Sequence, residues 1–247
     1  MAAMLASPLA VSRGKALTVA VWGAGCPWIL DMASGFGFLG KAAILAAGEE
    51  AQKMLGIKPE RGLYDWLSGK ARFRDVALFS PQGVMVLPMP AGMASLAFLE
   101  GWGERLESFF SSILHVVSAL IVPAGGEGTL PLFLAADSHV LFLEDSDESA
   151  KEALALLKIL GRAQKGKTLW VMGSGDRESL LGRFARLDTA AKKLFGTSPS
   201  WLGFLPPLAS DGRPSLWEKM AKKVAAFPQG GDFWEKARVF WQEAGQA

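Results

Sequence analysis

The chain has 247 residues, of which 50% are hydrophobic and 20% charged, and its formal net charge is +2. This length suits one large α/β domain or two small ones and is ample for burying a core. So small a charge, with no basic stripe along the sequence, argues against a nucleic-acid-binding protein. Cys26 is the only cysteine, which excludes an internal disulfide and fits a reducing compartment. We therefore expect a cytoplasmic protein.

The amino-terminal segment 1–16 is interpreted as an extension, followed by one α/β domain over 17–247. Met1–Ala10 is mildly apolar but has no basic start, so it is a poor signal peptide. No run of about 18 apolar residues is free of charges and helix breakers, so the sequence predicts no transmembrane helix.

Short apolar runs along the chain predict strands. The runs are nearly continuous rather than alternating, which is typical of strands buried on both faces of a parallel sheet. In chain order they are Leu17–Trp22, Ala43–Ala47, Val84–Leu87, Ser118–Val122, Val140–Leu143, Thr168–Met172 and Leu202–Leu205.

Helical periodicity occupies the stretches between these runs. A helix opens behind Pro27, and apolar residues recur at helical spacing in Ser149–Ala163, Arg177–Phe195, Ser215–Phe227 and Asp232–Ala244. Strands that alternate with helices of this length imply right-handed βαβ units. The predicted fold is a three-layer α/β/α sandwich with a mostly parallel sheet of about seven strands.

Several longer segments follow one another in a recognisable order. Leu55–Pro59 precedes Gly62–Gly69, Phe133–Asp137 runs into the strand at Val140, and Trp201–Pro206 lies near the end. They resemble the "LLGLKP…TLxDVLxG", "FLxAADEVLVVTTPE" and "YLGYLP" stretches of the MinD/ParA-type P-loop ATPases, and most of all of their FlhG/FleN flagellar-number branch. The resemblance implies a P-loop NTPase-like fold that binds ATP and magnesium and recruits protein partners or membranes.

The phosphate loop of that family reads "KGGVGKT" directly after the first strand. Here the first strand is followed by only Gly23-Ala24-Gly25-Cys26-Pro27, roughly five residues too short for the loop. This segment lacks both family lysines, and Pro27 has no N–H to offer a phosphate. By resemblance, Gly23, Gly25 and Cys26 are vestigial phosphate-loop positions.

Other positions of the family's site have changed as well. Ala47-Gly48-Glu49 stand where the family has "DAD", and Val122 stands at the acidic Walker B position. Neither Ala47 nor Val122 can ligate magnesium, a hard cation that prefers oxygen. Met172 replaces the asparagine whose amide reads adenine. Ala47, Glu49, Val122 and Met172 are thus vestigial, and we expect no catalytic residue, no metal and no bound cofactor.

Three other features have two interpretations each. Gly35–Ala42 fits G-x-x-x-x-G-K but ends in alanine, so a helix end at Gly40 and Lys41 is favoured over a displaced phosphate loop. Gly125–Thr129 is a loop, or an anion site at a helix start. The acidic run Glu144–Glu148 is a solvated helix cap, or a docking patch.

Three functions stay open. The favoured one is a non-catalytic protein that binds partners, such as an active MinD/FlhG-type paralogue or a flagellar or pilus component, and so positions or regulates an assembly at the cell surface or pole. The second is a divergent ATPase that binds ATP and magnesium, for example through Gly35–Lys41. The third is a membrane-surface adaptor acting through Trp234 and Trp241, although their helix is better interpreted as part of the core. Recruitment from the cytoplasm to the membrane or pole fits all three.

Overall fold

The computed structural model describes residues 16–23, 26–47, 53, 55–56, 58–89, 101–124, 130–163, 169–196, 198–205, 213–226 and 233–244. Its strands are β1 (Leu17–Trp22), β2 (Ala42–Ala47), β3 (Leu78–Phe79), β4 (Met85–Met89), β5 (Ala119–Pro123), β6 (Ser138–Glu144), β7 (Leu169–Ser174) and β8 (Ser200–Phe204). Its helices are α1 (Cys26–Gly35), a 3-10 helix (Phe36–Leu39), α2 (Leu63–Leu67), α3 (Phe73–Val76), α4 (Trp102–Val116), α5 (Leu130–Ala135), α6 (Asp147–Ala163), α7 (Arg177–Phe195), α8 (Arg213–Ala225) and α9 (Phe233–Ala244).

The strands form one sheet in the order β3-β4-β2-β5-β1-β6-β7-β8. Every neighbouring pair is parallel except β3 and β4. The predicted α/β class with a mostly parallel sheet is confirmed. The first strand of the chain therefore lies inside the sheet, between β5 and β6.

Both faces of the sheet are buried, as the continuous apolar runs predict. Within β1, Ala20 packs with α4, α5 and α6 on one face, whereas Val19 and Val21 pack with α1 and α8 on the other. All three side chains are at most 1% exposed. This is the three-layer arrangement expected from the sequence, with the central strands in the middle layer.

The sheet has one more strand than the sequence predicted. β3 is only two residues long and pairs antiparallel with β4 through a tight turn, in which the Ser80 N–H donates to the Val84 carbonyl at 2.9 Å. The Ser80 hydroxyl also accepts from the Val84 N–H at 3.2 Å. Two residues are too few for a periodic signal, so sequence patterns could not reveal this strand.

The amino ends of β1 and β6 are held together by Asp137, which lies in the FLAAD segment. Its carboxylate accepts from the Thr18 hydroxyl at 2.7 Å and from the Thr18 N–H at 3.2 Å. Lys236 of α9 contacts the other carboxylate oxygen at 3.5 Å. A side chain that is only 8% exposed thus links the first strand, the sixth strand and the last helix.

Helices α1 and α8 cross at very short range on the face that carries Val19. A Cβ built on Gly35 would lie 2.5 Å from the Trp217 Cβ, 2.7 Å from its carbonyl carbon and 2.8 Å from its carbonyl oxygen. Trp217 itself is 1% exposed. The crossing therefore depends on the missing side chain at Gly35, because backbone atoms cannot move aside as a flexible side chain would.

We expect Gly35→Ala to lower the free energy of unfolding by about 1–3 kcal/mol, since the added methyl forces the two helices apart. Gly37→Ala is the matched control, because a Cβ at Gly37 meets nothing within 4 Å. Urea denaturation of both variants measures the difference. Equal midpoints for the two variants would contradict the close crossing.

Candidate active-site edge

The candidate site lies at the carboxyl edge of the sheet, beyond β1. In open parallel sheets ligands bind where successive connections leave to opposite faces. β1 leads into α1 on one face, whereas the neighbouring β6 leads into α6 on the other. The crevice beyond β1 and β6 is therefore the position at which a sheet of this kind would hold a nucleotide.

The connection between β1 and α1 is short. β1 ends at Trp22 and α1 begins at Cys26, so only Gly23, Ala24 and Gly25 join them. Gly23 has a φ of 77°, and a Cβ there would lie 2.7 Å from the Phe142 carbonyl oxygen of β6. The backbone thus touches β6 at the point where a phosphate loop would have to arch away from the sheet to enclose a phosphate.

Aromatic rings surround this short connection. Trp22 packs edge-on against Phe133 of α5 with ring centroids 5.7 Å apart. Trp217 of α8 lies 6.1 Å from Trp28 and 6.1 Å from Phe142. The residues that flank the connection therefore present carbon surfaces, which cannot neutralise the charge of a triphosphate.

The Walker B position is also apolar and buried. Val122 pairs with Ala20 of β1, is 0% exposed and packs with α4 and α5. Next along β5 is Pro123, and the Ala124 N–H then donates to the Val21 carbonyl at 2.7 Å. Up to Ala124, where the described part of this connection ends, no carboxylate follows β5 next to β1.

Met172, matched to the adenine-reading residue, does not end its strand. β7 continues through Gly173 to Ser174, so the predicted end at Met172 is two residues too early. Met172 is 0% exposed and packs on the side of α8. Its side chain is part of the core and does not line the sheet edge.

The remaining site positions are only partly described. Cys26 and Ala47 occupy the first residue of α1 and the last residue of β2, but their side chains lie outside the described residues. Gly25, Glu49 and the segment Gly125–Thr129 also lie outside them. The predictions for these positions stay predictions.

The G-x-x-x-x-G-K pattern is a helix end, as the favoured interpretation held. Gly35 is the last residue of α1, Phe36–Leu39 form the 3-10 helix, and Ala42 starts β2. A phosphate loop follows a strand and precedes a helix. This segment does the reverse, so the geometry excludes it as a displaced phosphate loop.

The acidic run is an exposed helix start, as one of the two interpretations held, and it also forms an ion-pair cluster. Asp147 and Glu148 lie in the first turn of α6. Glu144 ends β6, and Asp145 accepts from the Ser179 hydroxyl at 2.5 Å and from the Arg183 Nε at 3.0 Å. Another nitrogen of the same guanidinium contacts Asp147 at 2.6 Å. The cluster fixes the β6–α6 connection to α7, and sequence patterns missed it because the partners lie 34 to 38 residues apart.

Hydrogen bonding lowers the carboxyl pKa values in this cluster. The Ser179 hydroxyl, and after it Arg183, hold the pKa of Asp145 below its ordinary value. Arg183 does the same for the pKa of Asp147, and the two acids raise the pKa of Arg183. The guanidinium is thus already paired with two carboxylates, so a phosphate would have to displace them.

A second arginine at this edge is stacked on an aromatic ring. The Arg177 guanidinium lies 5.1 Å from the ring centroid of Phe204, at the end of β8. Trp201 packs against Phe204 and against Phe184, with centroids 5.1 and 5.0 Å apart. These contacts form an aromatic cluster at the β8 side of the edge.

The described side chains do not fit a magnesium–triphosphate group. Among them, no set of three His, Cys, Asp or Glu side chains comes together as a metal site. His139 is buried with its Nε2 2.9 Å from the Phe133 carbonyl, and His115 lies 2.6 Å from the Ser111 carbonyl on α4. Both histidines hydrogen-bond to backbone rather than face the edge.

Helix α9 packs into the protein on the α4–α5 side. Phe233 and Ala237 are at most 5% exposed, and Phe233 stacks edge-on with Phe110 at 5.3 Å. The interpretation of α9 as a core helix is confirmed for this face. The side chains of Trp234 and Trp241 lie outside the described residues. Within the part of the chain that the structure covers, no helix has the length and apolar character to cross a bilayer.

Two curated relatives share sequence with the chain. The antiactivator FleN of Pseudomonas aeruginosa is 28% identical over 159 residues, covering 62% of this chain and 57% of FleN. An uncharacterized ATP-binding protein of Methanocaldococcus jannaschii is 34% identical over 103 residues, covering 40% of this chain and 38% of that protein. The aligned part thus spans less than two thirds of either relative. No model of a known protein family matches the chain.

Solved structures show the same fold. MinD of Pyrococcus furiosus superposes with a TM-score of 0.55 at 16% identity, covering 84% of this chain and 98% of that one. A chain of the MinC:MinD cell division complex of Aquifex aeolicus superposes with a TM-score of 0.53 at 16% identity, covering 92% of this chain and 96% of that one. A ParA family ATPase of Chlorobium tepidum superposes with a TM-score of 0.53 at 15% identity, covering 92% of this chain and 99% of that one.

The chain is similar to the MinD/ParA-type P-loop ATPases, close to FleN. The resemblance predicted from the sequence is thereby confirmed, as is the P-loop NTPase-like fold. The positions at which this MinD/ParA-like chain differs from the family's motifs lie at the carboxyl edge of the sheet, where apolar residues surround the β1–α1 connection.

We expect Ser179→Ala to raise the pKa of Asp145 towards its ordinary value, because the largest stabilising contact of the carboxylate is lost. Arg183→Gln should raise the pKa of both Asp145 and Asp147. Carboxyl-carbon NMR titration measures the shifts. Because a lowered pKa stabilises the fold above the ordinary pKa, this contribution is lost as the pH falls through the folded-state values.

The internal control for both variants is Asp188, whose pKa is lowered chiefly by Lys192 on the same helix. The pKa of Asp188 should be the same in both variants as in the unchanged protein. An unchanged Asp145 in Ser179→Ala would contradict the hydrogen bond as the main cause.

Proposed function

We propose that this chain is a non-catalytic relative of the MinD/FleN ATPases, which binds protein partners without hydrolysing ATP. The observation that carries the proposal is the three-residue connection between β1 and α1. Three residues cannot supply the row of backbone N–H groups, the lysine and the hydroxyl that a phosphate loop directs at a triphosphate and its magnesium.

Three further contacts support the loss of turnover. Gly23 lies against the Phe142 carbonyl, so the backbone still follows β6 at the first residue after β1. Val122 is a core residue, so the Walker B carboxylate has no replacement at that position. Arg183 is paired with two acids and cannot stand in for the missing lysine without breaking both contacts.

Protein binding is the function that remains for such a fold. FleN is an antiactivator, and the Aquifex aeolicus MinD was solved in complex with MinC. By analogy, we assign this chain a role in positioning or regulating a flagellar or other surface or cell-pole assembly. Its partner would be an active MinD/FlhG-type paralogue or a component of that assembly, met in the cytoplasm or after recruitment to the membrane or pole.

A divergent ATPase is the alternative, since the Methanocaldococcus jannaschii relative is an ATP-binding protein. Under this reading ATP and magnesium are cofactors held by residues outside the described part, such as Gly125–Thr129. The G-x-x-x-x-G-K segment does not serve this alternative, because it joins a helix to a strand.

Titration with Mg-ATP separates the two. A ligand present at about a thousandfold excess over its Kd stabilises the folded state by about 4 kcal/mol. For a chain of this size that raises Tm by roughly 10 °C. We expect Mg-ATP to leave Tm unchanged within about 1 °C, whereas the ATP-binding relative from Methanocaldococcus jannaschii, measured alongside, provides the positive control. Calorimetric binding in the micromolar range would favour the ATPase.

Deletion of the gene in its own cell tests the biological role. We expect the number or position of flagella or pili, counted by electron microscopy, to change and to be restored by the intact gene. Normal assemblies in the deletion strain would contradict this role.

A further inference from the structure

The outward side of the paired helices α6 and α7 carries two exposed leucines. The helices run parallel to each other on one face of the sheet, because the strands that they connect, β6, β7 and β8, are parallel. Each helix packs inward, α6 through Leu157 and α7 through Leu187, both at most 5% exposed. Leu154 is nevertheless 40% exposed and Leu194 62% exposed. The fold thus leaves apolar surface uncovered on both helices.

Helical spacing places the two leucines along the line where the helices meet. Asp147 at the start of α6 contacts Arg183 of α7, with 2.6 Å between a carboxylate oxygen and a guanidinium nitrogen. Leu154 follows Asp147 by seven residues and Leu194 follows Arg183 by eleven, close to two and three whole turns. Both leucines therefore lie on the sides of their helices that meet at this ion pair, about 10 Å and about 16 Å further along.

Two packed helices leave a groove between their outward surfaces, and three cations flank this one. Lys151 and Lys158 follow Asp147 at about one and three turns. After Arg183, Lys151 and Arg186 also lower the pKa of Asp147, so both lie near it. We define the α6–α7 groove by its two exposed leucines and three exposed cations, which are Lys151, Leu154, Lys158, Arg186 and Leu194.

The needs of the fold itself do not account for this set of side chains. Single exposed leucines are ordinary on a protein surface. Here, however, two of them lie on adjacent helices among three cations with which no acid of the described residues forms an ion pair. Neither Lys158 nor Arg186 is in the last turn of its helix, where a cation would favour the helix dipole.

We infer that the α6–α7 groove binds an acidic amphipathic helix of a partner protein. Two leucines staggered along a groove suit the apolar residues that recur every three or four positions on a docked helix. Carboxylates on the two sides of that helix would meet Lys151 and Lys158 on α6 and Arg186 on α7. The leucines favour a protein over a nucleic acid, whose phosphate backbone would use only the cations.

This inference names the chemistry of the partner and rests on the partner binding in the proposed function. It does not depend on the loss of ATP turnover. Helices α6 and α7 begin at the carboxyl edge, and Leu154 and Leu194 lie two turns or more from their first residues, towards the amino edge. The groove and the β1–α1 connection can therefore be tested separately.

Fluorescence anisotropy with a synthetic helix tests the inference on the full chain. The probe is a labelled, stapled peptide of about 16 residues, or roughly four turns, with leucines along one side and glutamates elsewhere. We expect saturable binding that weakens several-fold between ~0.1 M and ~0.5 M salt, because salt screens the cations. A peptide with lysines in place of the glutamates should not bind, and neither should one with glutamates in place of the leucines.

Variants of the groove separate its apolar from its charged contribution. Leu154→Ala and Leu194→Ala should each weaken binding about tenfold, since each loses roughly 60 Å² of apolar contact. Lys151→Glu, Lys158→Glu and Arg186→Glu combined should abolish binding of the glutamate peptide. The same triple variant should bind the lysine peptide, because the charge of the groove is then reversed.

Two matched controls lie outside the groove. Leu181 is 48% exposed on α7 but precedes Arg183 by two residues, which places it on another side of the helix, so Leu181→Ala controls for the leucines. Lys219→Gln combined with Lys223→Gln controls for lost charge, because both lysines are exposed on α8, on the other face of the sheet. Both controls should leave binding unchanged, and thermal melts should show all variants folded.

Four results would overturn the inference. They are no binding of the leucine–glutamate peptide, an equal loss in Leu181→Ala, equally tight binding of the peptide without leucines, and self-association in sedimentation velocity that the groove variants abolish. The last result would assign the groove to a second copy of this chain. If the peptide fails to bind while the deletion phenotype is observed and Mg-ATP leaves Tm unchanged, the groove inference is wrong and the proposed function stands.

Discussion

The close approach of Gly23 to the Phe142 carbonyl is the constraint on which the edge of this protein depends. It holds the end of β1 against β6 and lets α1 begin after three residues. α1 then meets α8 at Gly35. The position of the helix layer formed by α1 and α8 therefore follows from the same short connection. Trp28, near the start of α1, then packs against Trp217 of α8 with ring centroids 6.1 Å apart.

The chemistry of the edge is consistent with this geometry. Where ATPases of this fold need cations, hydroxyls and acids, the described residues present rings, a proline and paired ions. Asp145 and Asp147 neutralise Arg183, and Arg177 stacks on Phe204. The edge therefore contributes to the stability of the fold through contacts within the protein.

Much of the fold could be predicted from the sequence, because strands such as Leu17–Trp22 are apolar on both faces and give a local signal. The helix Arg177–Phe195 was predicted with its observed bounds. β3 was missed because two residues carry no pattern, and β7 was ended early at Met172 because Gly173 and Ser174 are poor strand formers. At the site, the sequence alone showed which family residues are replaced, such as the Walker B acid by Val122. It could not show the Asp145–Arg183 pair, because the two residues are far apart in the sequence and meet only in the folded protein.

The tie between Thr18, Asp137 and Lys236 has a consequence for how the protein is made. Thr18 and Asp137 are 119 residues apart, and Asp137 and Lys236 are 99 apart. A ribosome that adds 5–20 residues per second takes roughly 6 to 24 s to go from Thr18 to Asp137, so β1 is made well before β5 and β6, the strands it pairs with. During that interval a strand that is apolar except for Thr18 is exposed in the nascent chain, so we expect chaperones to bind this segment before the sheet closes.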